Sequence, residues 1–235
     1  STPIQFWPST FKFDNYSTAF TSQPFGQYLV NSFLIAGITT LIIVVSASMA
    51  SYAIARTDIR GKKLVLIILL TVSLLPPITL LQPIYQMMST LNLLNTTIGL
   101  ALVLSAVELP TAVWLLTSFF QSVPFEIEES GVVDGASMPT IFFRMIFPLV
   151  APGVFTVSIM TFIAAWNNYI FAAVLNQYKT ARTVTIALLM FQTDTYTPWH
   201  VISAASIICS VPLIIVVLIL QKRIISGMLD GSVKG

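Results

Sequence analysis

The chain has 235 residues, of which 56% are hydrophobic and 9% are charged, with a formal net charge of +2 and a mean hydropathy of +0.88. Soluble domains carry about 25% charged residues, so this composition indicates an integral membrane protein. The single cysteine, Cys209, excludes a disulfide within the chain and a cysteine-rich metal site, and the single histidine, His200, excludes a histidine cluster.

Long apolar stretches predict five membrane-spanning helices. A helical span needs about 20 apolar residues. The stretches 15–55, 64–107 and 145–178 contain no Lys, Arg, Asp or Glu. Transmembrane β-strands would alternate polar and apolar residues, and no such alternation occurs. The predicted fold class is therefore all-α, a polytopic transmembrane helical bundle. The predicted spans are 27–55, 64–87, 98–120, 149–176 and 201–223.

The basic residues near the span ends predict the orientation. One side carries Arg56, Arg60, Lys62, Lys63, Arg144, Lys222, Arg223 and Lys234, and the other carries Lys12, Lys179 and Arg182. The positive-inside rule makes the first side cytoplasmic. Residues 1–26 are then an extracytoplasmic segment, 27–223 a transmembrane domain with a cytoplasmic loop at 121–148, and 224–235 a cytoplasmic tail.

The second predicted span is interrupted by Leu75-Pro76-Pro77, and Pro83 follows. Each proline removes a backbone donor and clashes with the preceding helical turn. Membranes tolerate such breaks where neighbouring helices or a water-filled cavity satisfy the freed carbonyls. Two interpretations stay open: a structural kink, and a wall of a translocation path, which transporters often build from broken helices.

A hydrophilic insert at 123–148 separates the third and fourth predicted spans. Its acids Glu126, Glu128 and Glu129 favour the N-terminal end of a short helix. Gly135 is predicted to end that helix with a positive φ, and Ser137 to cap a second helix with its hydroxyl. Small residues in the insert permit close approach by a partner surface. The insert is either a docking element or an ordinary solvated loop.

Three polar residues inside the spans are candidates for a substrate path. Glu108 lies two residues before Pro110, and an ionisable group at this depth is costly and often functional. The alternative is that its carboxylate snorkels or bonds a freed backbone group. Asn167 and Asn168 either bind solute hydroxyl groups or join helices. No Gly-x-x-x-x-Gly-Lys-Ser/Thr sequence occurs, so we predict no phosphate-binding loop. No Gly-x-Ser-x-Gly sequence, metal-ligand cluster or catalytic pair occurs either, so we predict no catalytic residue, no cofactor and no metal site.

The insert contains Glu129-Ser130-Gly131, three residues, Gly135, nine residues and Met145-Ile146-Phe147-Pro148. This pattern resembles the Glu-Ala-Ala motif of permease subunits in binding-protein-dependent ABC importers, which reads Glu-Ala-Ala, three residues, Gly, nine residues, Ile-x-Leu-Pro. The spacing is kept, and the replacements preserve small size and apolar character.

Further segments resemble the carbohydrate-uptake branch, whose members are similar to the second permease of maltose-type importers. They are Pro8-Ser-Thr-Phe11 with Asp14-Asn15-Tyr16, Ala50 to Arg56 (the family's Ala-Tyr-Ala-x-x-Arg), Trp166-Asn167-Asn168-Tyr169 (the family's Trp-Asn-Glu-Phe, with Asn168 in place of the acid), and the tail Gly227 to Gly235. The family has six spans with its N-terminus inside. We therefore expect an upstream span, and a removed signal peptide is the alternative.

The resemblance implies a type I ABC importer permease, a non-catalytic subunit of a bacterial or archaeal cell membrane. It implies a second homologous permease, two ATPase subunits that hold ATP and magnesium, an extracytoplasmic solute-binding protein and a sugar substrate. The insert becomes the coupling helix, and its expected ATPase contacts are Glu128, Glu129, Ser130, Gly131, Asp134, Gly135, Ala136 and Pro148. The same importer type for a polyamine or glycerol phosphate, and an ATP-independent channel or scaffold, stay open.

Overall fold

The computed structural model describes residues 12–58, 60–192 and 196–232, with side chains up to residue 219. Of the predicted landmarks, Pro8-Ser-Thr-Phe11, Lys234 and Gly235 lie outside the described residues. The described residues form helices and no strand, so the all-α prediction is confirmed. In chain order the helices are α1 (Asp14–Ser22), α2 (Phe25–Arg56), α3 (Lys62–Ser73), α4 (Pro77–Thr90), α5 (Thr97–Ser122), α6 (Glu126–Val133), α7 (Met138–Thr140), the π-helical segment Ile141–Ile146, α8 (Phe147–Trp166), α9 (Ile170–Leu175), α10 (Val184–Leu189) and α11 (Trp199–Ser232).

The predicted polytopic bundle is confirmed by the length and apolar character of its helices. Four helical runs within the described residues are long and apolar enough to cross a membrane: Phe25–Arg56, Thr97–Ser122, Met138–Trp166 and Trp199–Ile219. The pair α3 and α4 makes a fifth if it counts as one span. The bundle therefore has four spans, or the predicted five.

The centre of the bundle is α2, which packs along α5 and α8. The hydroxyl of Thr39 donates to the Ala101 carbonyl at 3.3 Å, and that of Ser51 to the Val113 carbonyl at 2.9 Å. Because both pairs have the same sequence separation of 62 residues, α2 and α5 run parallel. The buried face of α2 is mostly small, with Ser32, Ala36, Thr39, Ala47, Ser48, Ser51 and Ala55. Small side chains let helix backbones approach closely in membranes.

The second predicted span is broken into two helices. Helices α3 and α4 are bent by 93° at a break that contains Pro76. Two adjacent prolines explain the break, because each lacks an N–H and Pro77 disfavours the helical conformation for Pro76. Pro76 accordingly has φ −59° and ψ 124°, and Pro77 opens α4. The chain at 64–87 is thus two helices rather than one kinked helix, and the role of the break in a translocation path stays a prediction.

The fourth predicted span, 149–176, has different bounds in the structure. Its helical run begins at Met138, passes through the π-helical segment and ends at Trp166. Pro148 lies two residues after the π-helical segment and, having no N–H, donates no backbone hydrogen bond to it. Residues 170–175 form the separate helix α9. The predicted boundary at 223 also falls inside a helix, because α11 continues to Ser232.

The bundle has two ends, which we call the α6 end and the α9 end. The α6 end contains the C-terminal ends of α2 and α5, all of α6 and α7, and the start of α8. The α9 end contains the N-terminal ends of α2 and α5, the C-terminal end of α8, helix α9 and residues 176–183. There the Asn31 side-chain Nδ2 donates to the carbonyls of Thr180 and Arg182, both at 2.9 Å.

We predict that Gly153→Ala destabilises the bundle. A Cβ atom at Gly153 would lie 2.3 Å from the Phe119 ring on α5, whereas one at Gly37 on α2 meets nothing within 4 Å. Overpacking of this kind costs about 1–3 kcal/mol, so the melting temperature in detergent should fall. Gly37→Ala is the matched control and should leave it unchanged or raise it. Equal melting temperatures for the two variants would contradict the close contact between Gly153 and Phe119.

Candidate functional site

The insert at 123–148 forms a helix, a tight turn and a second helical run. Glu126, Glu128 and Glu129 lie in the first turn of α6, where acids are favoured by the helix dipole. Gly135 has φ +74°, and its amide donates to Val132 at 3.0 Å while that of Ala136 donates to Gly131 at 2.9 Å. These two bonds form a Schellman motif. The predicted glycine helix end is confirmed.

The predicted side-chain cap by Ser137 is wrong. Ser137 does precede α7 with an extended backbone, but its side chain makes no capping hydrogen bond. Its hydroxyl instead lies 2.9 Å from that of Thr140. A capping hydroxyl accepts from the second or third helical amide, and Pro139 at the second position has no N–H.

The inner face of α6 packs closely on the π-helical segment. Gly131 is buried there, and a Cβ atom on it would lie 2.8 Å from Met145 Sδ and 3.1 Å from Ile141 Cγ1. The small size of Gly131 therefore serves an approach between two elements of this chain. Its predicted contact with an ATPase stays a prediction.

A buried polar cluster ties α6 to the end of α2. Arg56 Nε lies 3.5 Å from Glu128 Oε2, and the Tyr52 hydroxyl donates to Glu128 Oε1. Arg56 Nη2 also donates to the Val123 carbonyl at 2.7 Å, and the guanidinium lies 4.4 Å from the Phe125 ring centroid. The Arg56 side chain is 2% exposed and that of Glu128 is 15% exposed. We call Tyr52, Arg56 and Glu128 the arginine cluster.

Sequence reasoning did not assign the arginine cluster. It interpreted Arg56 through the membrane topology and Glu128 as an ATPase contact. The available signal was a basic residue at a span end near an insert that holds four of the nine acids in the chain. That signal does not choose among the acids, because the choice depends on how α6 is rotated.

The outer face of α6 is exposed and largely apolar. Phe125 is 52% exposed, Val132 57%, Met138 65% and Val133 85%. Glu129 is also exposed. A groove of about 770 Å³ runs between this face and the end of α2, lined by Tyr52, Arg56, Thr57, Phe125, Glu128, Glu129, Val132, Val133 and Met138. We call these exposed residues, Phe125, Glu129, Val132, Val133 and Met138, the outer α6 face.

The structure separates the predicted coupling residues into three groups. The exposed residues are Glu129, Ser130, Asp134, Gly135 and Pro148. Glu128 and Ala136 are half-buried, and Gly131 is buried. Pro148 lies in the first turn of α8 rather than on α6. Contact of any of these residues with an ATPase stays a prediction.

The predicted substrate-path residues are not brought together. Glu108 lines a cavity of about 110 Å³ between α5 and α8, with Thr111, Ala112, Leu115, Val157, Met160, Thr161 and Ala164. Asn168 instead accepts a hydrogen bond from the Phe171 amide at 3.1 Å through Oδ1, which caps α9. Its carbonyl accepts from the Thr185 hydroxyl at 3.0 Å. Asn167 is exposed at the end of α8.

Comparison with known proteins assigns the chain to a family. The family described as "Binding-protein-dependent transport system inner membrane component" matches residues 42–230. The chain is 36% identical to the sulfoquinovosyl glycerol transport system permease protein SmoH of Agrobacterium fabrum, over 99% of this chain and 82% of that protein. It is 38% identical to the trehalose transport system permease protein SugB of Mycobacterium tuberculosis, over 97% and 84%.

Two further similarities extend the comparison. The trehalose/maltose transport system permease protein MalG of Thermococcus litoralis is 36% identical over 90% of this chain and 76% of that protein. In a crystal structure of a bacterial ABC transporter involved in the import of the acidic polysaccharide alginate, one chain matches with a TM-score of 0.79 and 20% identity. The match covers 92% of this chain and 80% of that one. It confirms the predicted importer permease fold.

We predict that the turn after α6 depends on the backbone of Gly135. No atom lies within 4 Å of a Cβ built there, so only the positive φ of +74° opposes a side chain. Gly135→Val should cost about 1–2 kcal/mol, and Gly135→Asn less, because Asn tolerates this conformation. Amide hydrogen exchange should accelerate in residues 126–136 of the Val variant and stay unchanged in α5. Equal exchange in the Val and Asn variants would show that the left-handed turn is not required.

Proposed function

Because the chain belongs to the family of binding-protein-dependent transport system inner membrane components, we propose that it forms half of the translocation path of a carbohydrate ABC importer. A second, homologous permease supplies the other half. Two ATPase subunits hold ATP and Mg²⁺ and drive the cycle, and an extracytoplasmic binding protein delivers the sugar. This chain performs no catalysis and holds no cofactor.

The outer α6 face is the observation that carries the proposal. Exposed apolar side chains are expected where a helix faces lipid, but α6 lies beyond the ends of the spans α2 and α5. Apolar patches of this kind in contact with water mark sites of protein interaction. Val133 is 85% exposed and Val132 57% exposed, with Glu129 beside them. An apolar face with one exposed acid fits an ATPase cleft that offers a basic side chain, since charge-assisted hydrogen bonds are the strong ones.

The basic residues support a cytoplasmic location for this face. Arg56 ends α2 and Lys62 and Lys63 open α3, and Arg144 lies in the π-helical segment. All four are at the α6 end, whereas Lys179 and Arg182 are at the α9 end. By the positive-inside rule this distribution favours an α6 end in the cytoplasm, where ATP is available, and an α9 end outside.

The relatives support a sugar as the solute. The names of three relatives specify sulfoquinovosyl glycerol, trehalose, and trehalose with maltose, all of which carry several hydroxyl groups. A carboxylate accepts hydrogen bonds from such hydroxyls, and Glu108 lines a cavity inside the bundle. We therefore keep Glu108 as the substrate-path residue of this chain. The hydrogen bonds of Asn168 to Phe171 and Thr185 favour a structural role for it, and Asn167 stays a weaker candidate.

Glu129→Lys should release the ATPase from the complex. Glu129 is exposed on the outer α6 face, and its role in the fold is a favourable charge in the first turn of α6. Loss of that charge costs about 0.3–1 kcal/mol, so the variant should still fold and insert. Against a basic partner, the reversed charge converts attraction into repulsion. Co-purification through a tag on this chain, from native membranes, should recover the ATPase with the wild type and lose it with the variant.

The matched control is Lys179→Glu, a charge reversal at an exposed residue of the α9 end. It should retain the ATPase in full. Retention of the ATPase by the Glu129→Lys variant would remove Glu129 from the docking surface. Absence of any ATPase from the wild-type complex would favour the channel or scaffold hypothesis.

Cells that depend on this transporter should take up a glycoside. Uptake of labelled trehalose, maltose and melibiose is compared with uptake of putrescine and glycerol 3-phosphate, in strains with and without this chain. We expect chain-dependent uptake of at least one glycoside. Glu108→Ala should reduce that uptake about tenfold, as expected for loss of a charge-assisted hydrogen bond. Chain-dependent uptake of putrescine or glycerol 3-phosphate alone would overturn the sugar assignment.

A further inference from the structure

Helix α6 is held to its own chain by two different contacts. One is the apolar packing of Gly131 on Ile141 and Met145. The other is polar and reaches a different helix, through Glu128 to Tyr52 and Arg56 of α2. The second contact therefore joins the element proposed to dock on the ATPase to the central helix of the bundle.

The arginine cluster is buried enough to hold α6 in place. Exposed ion pairs contribute little, because water and salt screen them. Arg56 is 2% exposed and Glu128 is 15% exposed, so screening is weak here. Removing one partner of a buried pair leaves an uncompensated charge and is strongly unfavourable. Among the described residues this is the only ion pair.

The cluster fixes the entry to α6 as well as α6 itself. Tyr52 and Arg56 are four residues apart, so both face the same side of α2. Arg56 contacts the linker between α5 and α6 twice, through the Val123 carbonyl and the Phe125 ring. The end of α2 therefore holds both the linker and the first turn of α6.

The hydrogen bonding of Arg56 is incomplete. Its Nε and Nη1 are buried and have no hydrogen-bond partner among the described residues, although Glu128 Oε2 lies only 3.5 Å from Nε. A small rotation of α6 would bring a Glu128 oxygen within hydrogen-bond distance of one of these N–H groups. The hydrogen bonding of the cluster therefore depends on the position of α6.

The opposite end of α2 is attached to the α9 end of the bundle. The Asn31 side-chain Nδ2 donates to the carbonyls of Thr180 and Arg182, and the Ser32 hydroxyl accepts from the Val184 amide at 2.9 Å. A helix of 32 residues is about 48 Å long. If α2 moves as a rigid helix, a displacement of its C-terminal end reaches these contacts at the α9 end.

We propose that Tyr52, Arg56 and Glu128 form a positioning site that makes α6 and the end of α2 move as one body. ATPase movement at the outer α6 face then reaches α2 directly, and through α2 the α9 end. The inference rests on the proposed function, because it requires an ATPase on α6. It assigns Glu128 to transmission inside this chain, whereas Glu129 faces the partner.

Tyr52→Phe is the primary test, because it removes only the hydroxyl. The ring keeps its packing on Phe120 and Phe142, at centroid distances of 5.8 and 4.9 Å. The intact complex is purified through a tag on this chain, and MgATP hydrolysis is measured per assembled complex. We expect an unchanged number of ATPase copies, an unchanged KM for MgATP and a kcat lowered about tenfold, which corresponds to one charge-assisted hydrogen bond.

The double variant Arg56→Met, Glu128→Met separates positioning from folding. It removes both charges and leaves none unpaired, so its melting temperature should exceed that of Arg56→Met alone. The kcat of the double variant should nevertheless stay as low as that of Arg56→Met. Glu126→Gln is the control, since it neutralises an exposed acid of the same helical turn, and it should leave kcat unchanged.

Three results would overturn the inference. An unchanged kcat in both Tyr52→Phe and the double variant, with the ATPase present, would overturn this inference and leave the proposed function intact. Recovery of kcat together with melting temperature in the double variant would reduce the cluster to a folding role. Absence of the ATPase from the wild-type complex would overturn the proposed function and this inference with it.

Discussion

The packing of α2 against α5 and α8 is the contact on which the rest of the structure depends. In a bilayer the lipid is as apolar as the side chains, so helices associate through close packing and hydrogen bonds between them. The small buried face of α2 permits that approach, and Thr39 and Ser51 each donate to a carbonyl of α5. Both ends of the bundle then attach to α2, at Asn31 and at Arg56.

The membrane also restricts where helices can be interrupted. Backbone groups freed by a break must find partners within the protein, and asparagines supply many of them at the α9 end. Asn95 has φ +58°, and its side chain accepts from the Tyr178 amide at 2.8 Å. The Asn176 side-chain Nδ2 donates to the Ala181 carbonyl at 3.0 Å, and the Asn168 side chain caps α9. The asparagines that suggested a substrate path in the sequence are of this kind, at least at Asn168.

Features fixed by a single residue type could be predicted from the sequence, and features fixed by rotation could not. Glycine adopts positive φ angles without strain, and Gly135 has φ +74°. The position of this glycine in the sequence was therefore enough to predict the end of α6. The side that Glu128 faces depends on the packing of Gly131 against Met145, which no local pattern reveals. Ser137 failed as a cap for a similar reason, since Pro139 and the Thr140 hydroxyl together decide the outcome. The fourth span ends at Trp166 rather than at the predicted residue 176, because α8 stops at Asn167 and Asn168 although the apolar sequence continues beyond them.

The neighbouring acids Glu128 and Glu129 have different surroundings on one short helix. Successive residues of a helix point about 100° apart, so Glu128 and Glu129 cannot face the same way. Glu128 is held in the arginine cluster, and Glu129 is exposed on the outer α6 face. In the proposed complex, a charge at either position alone would leave α6 either anchored without a docking acid or docked without a polar anchor. Because the two acids lie in one helical turn, a force applied by the partner at Glu129 would reach Arg56 through Glu128 with no loop between them.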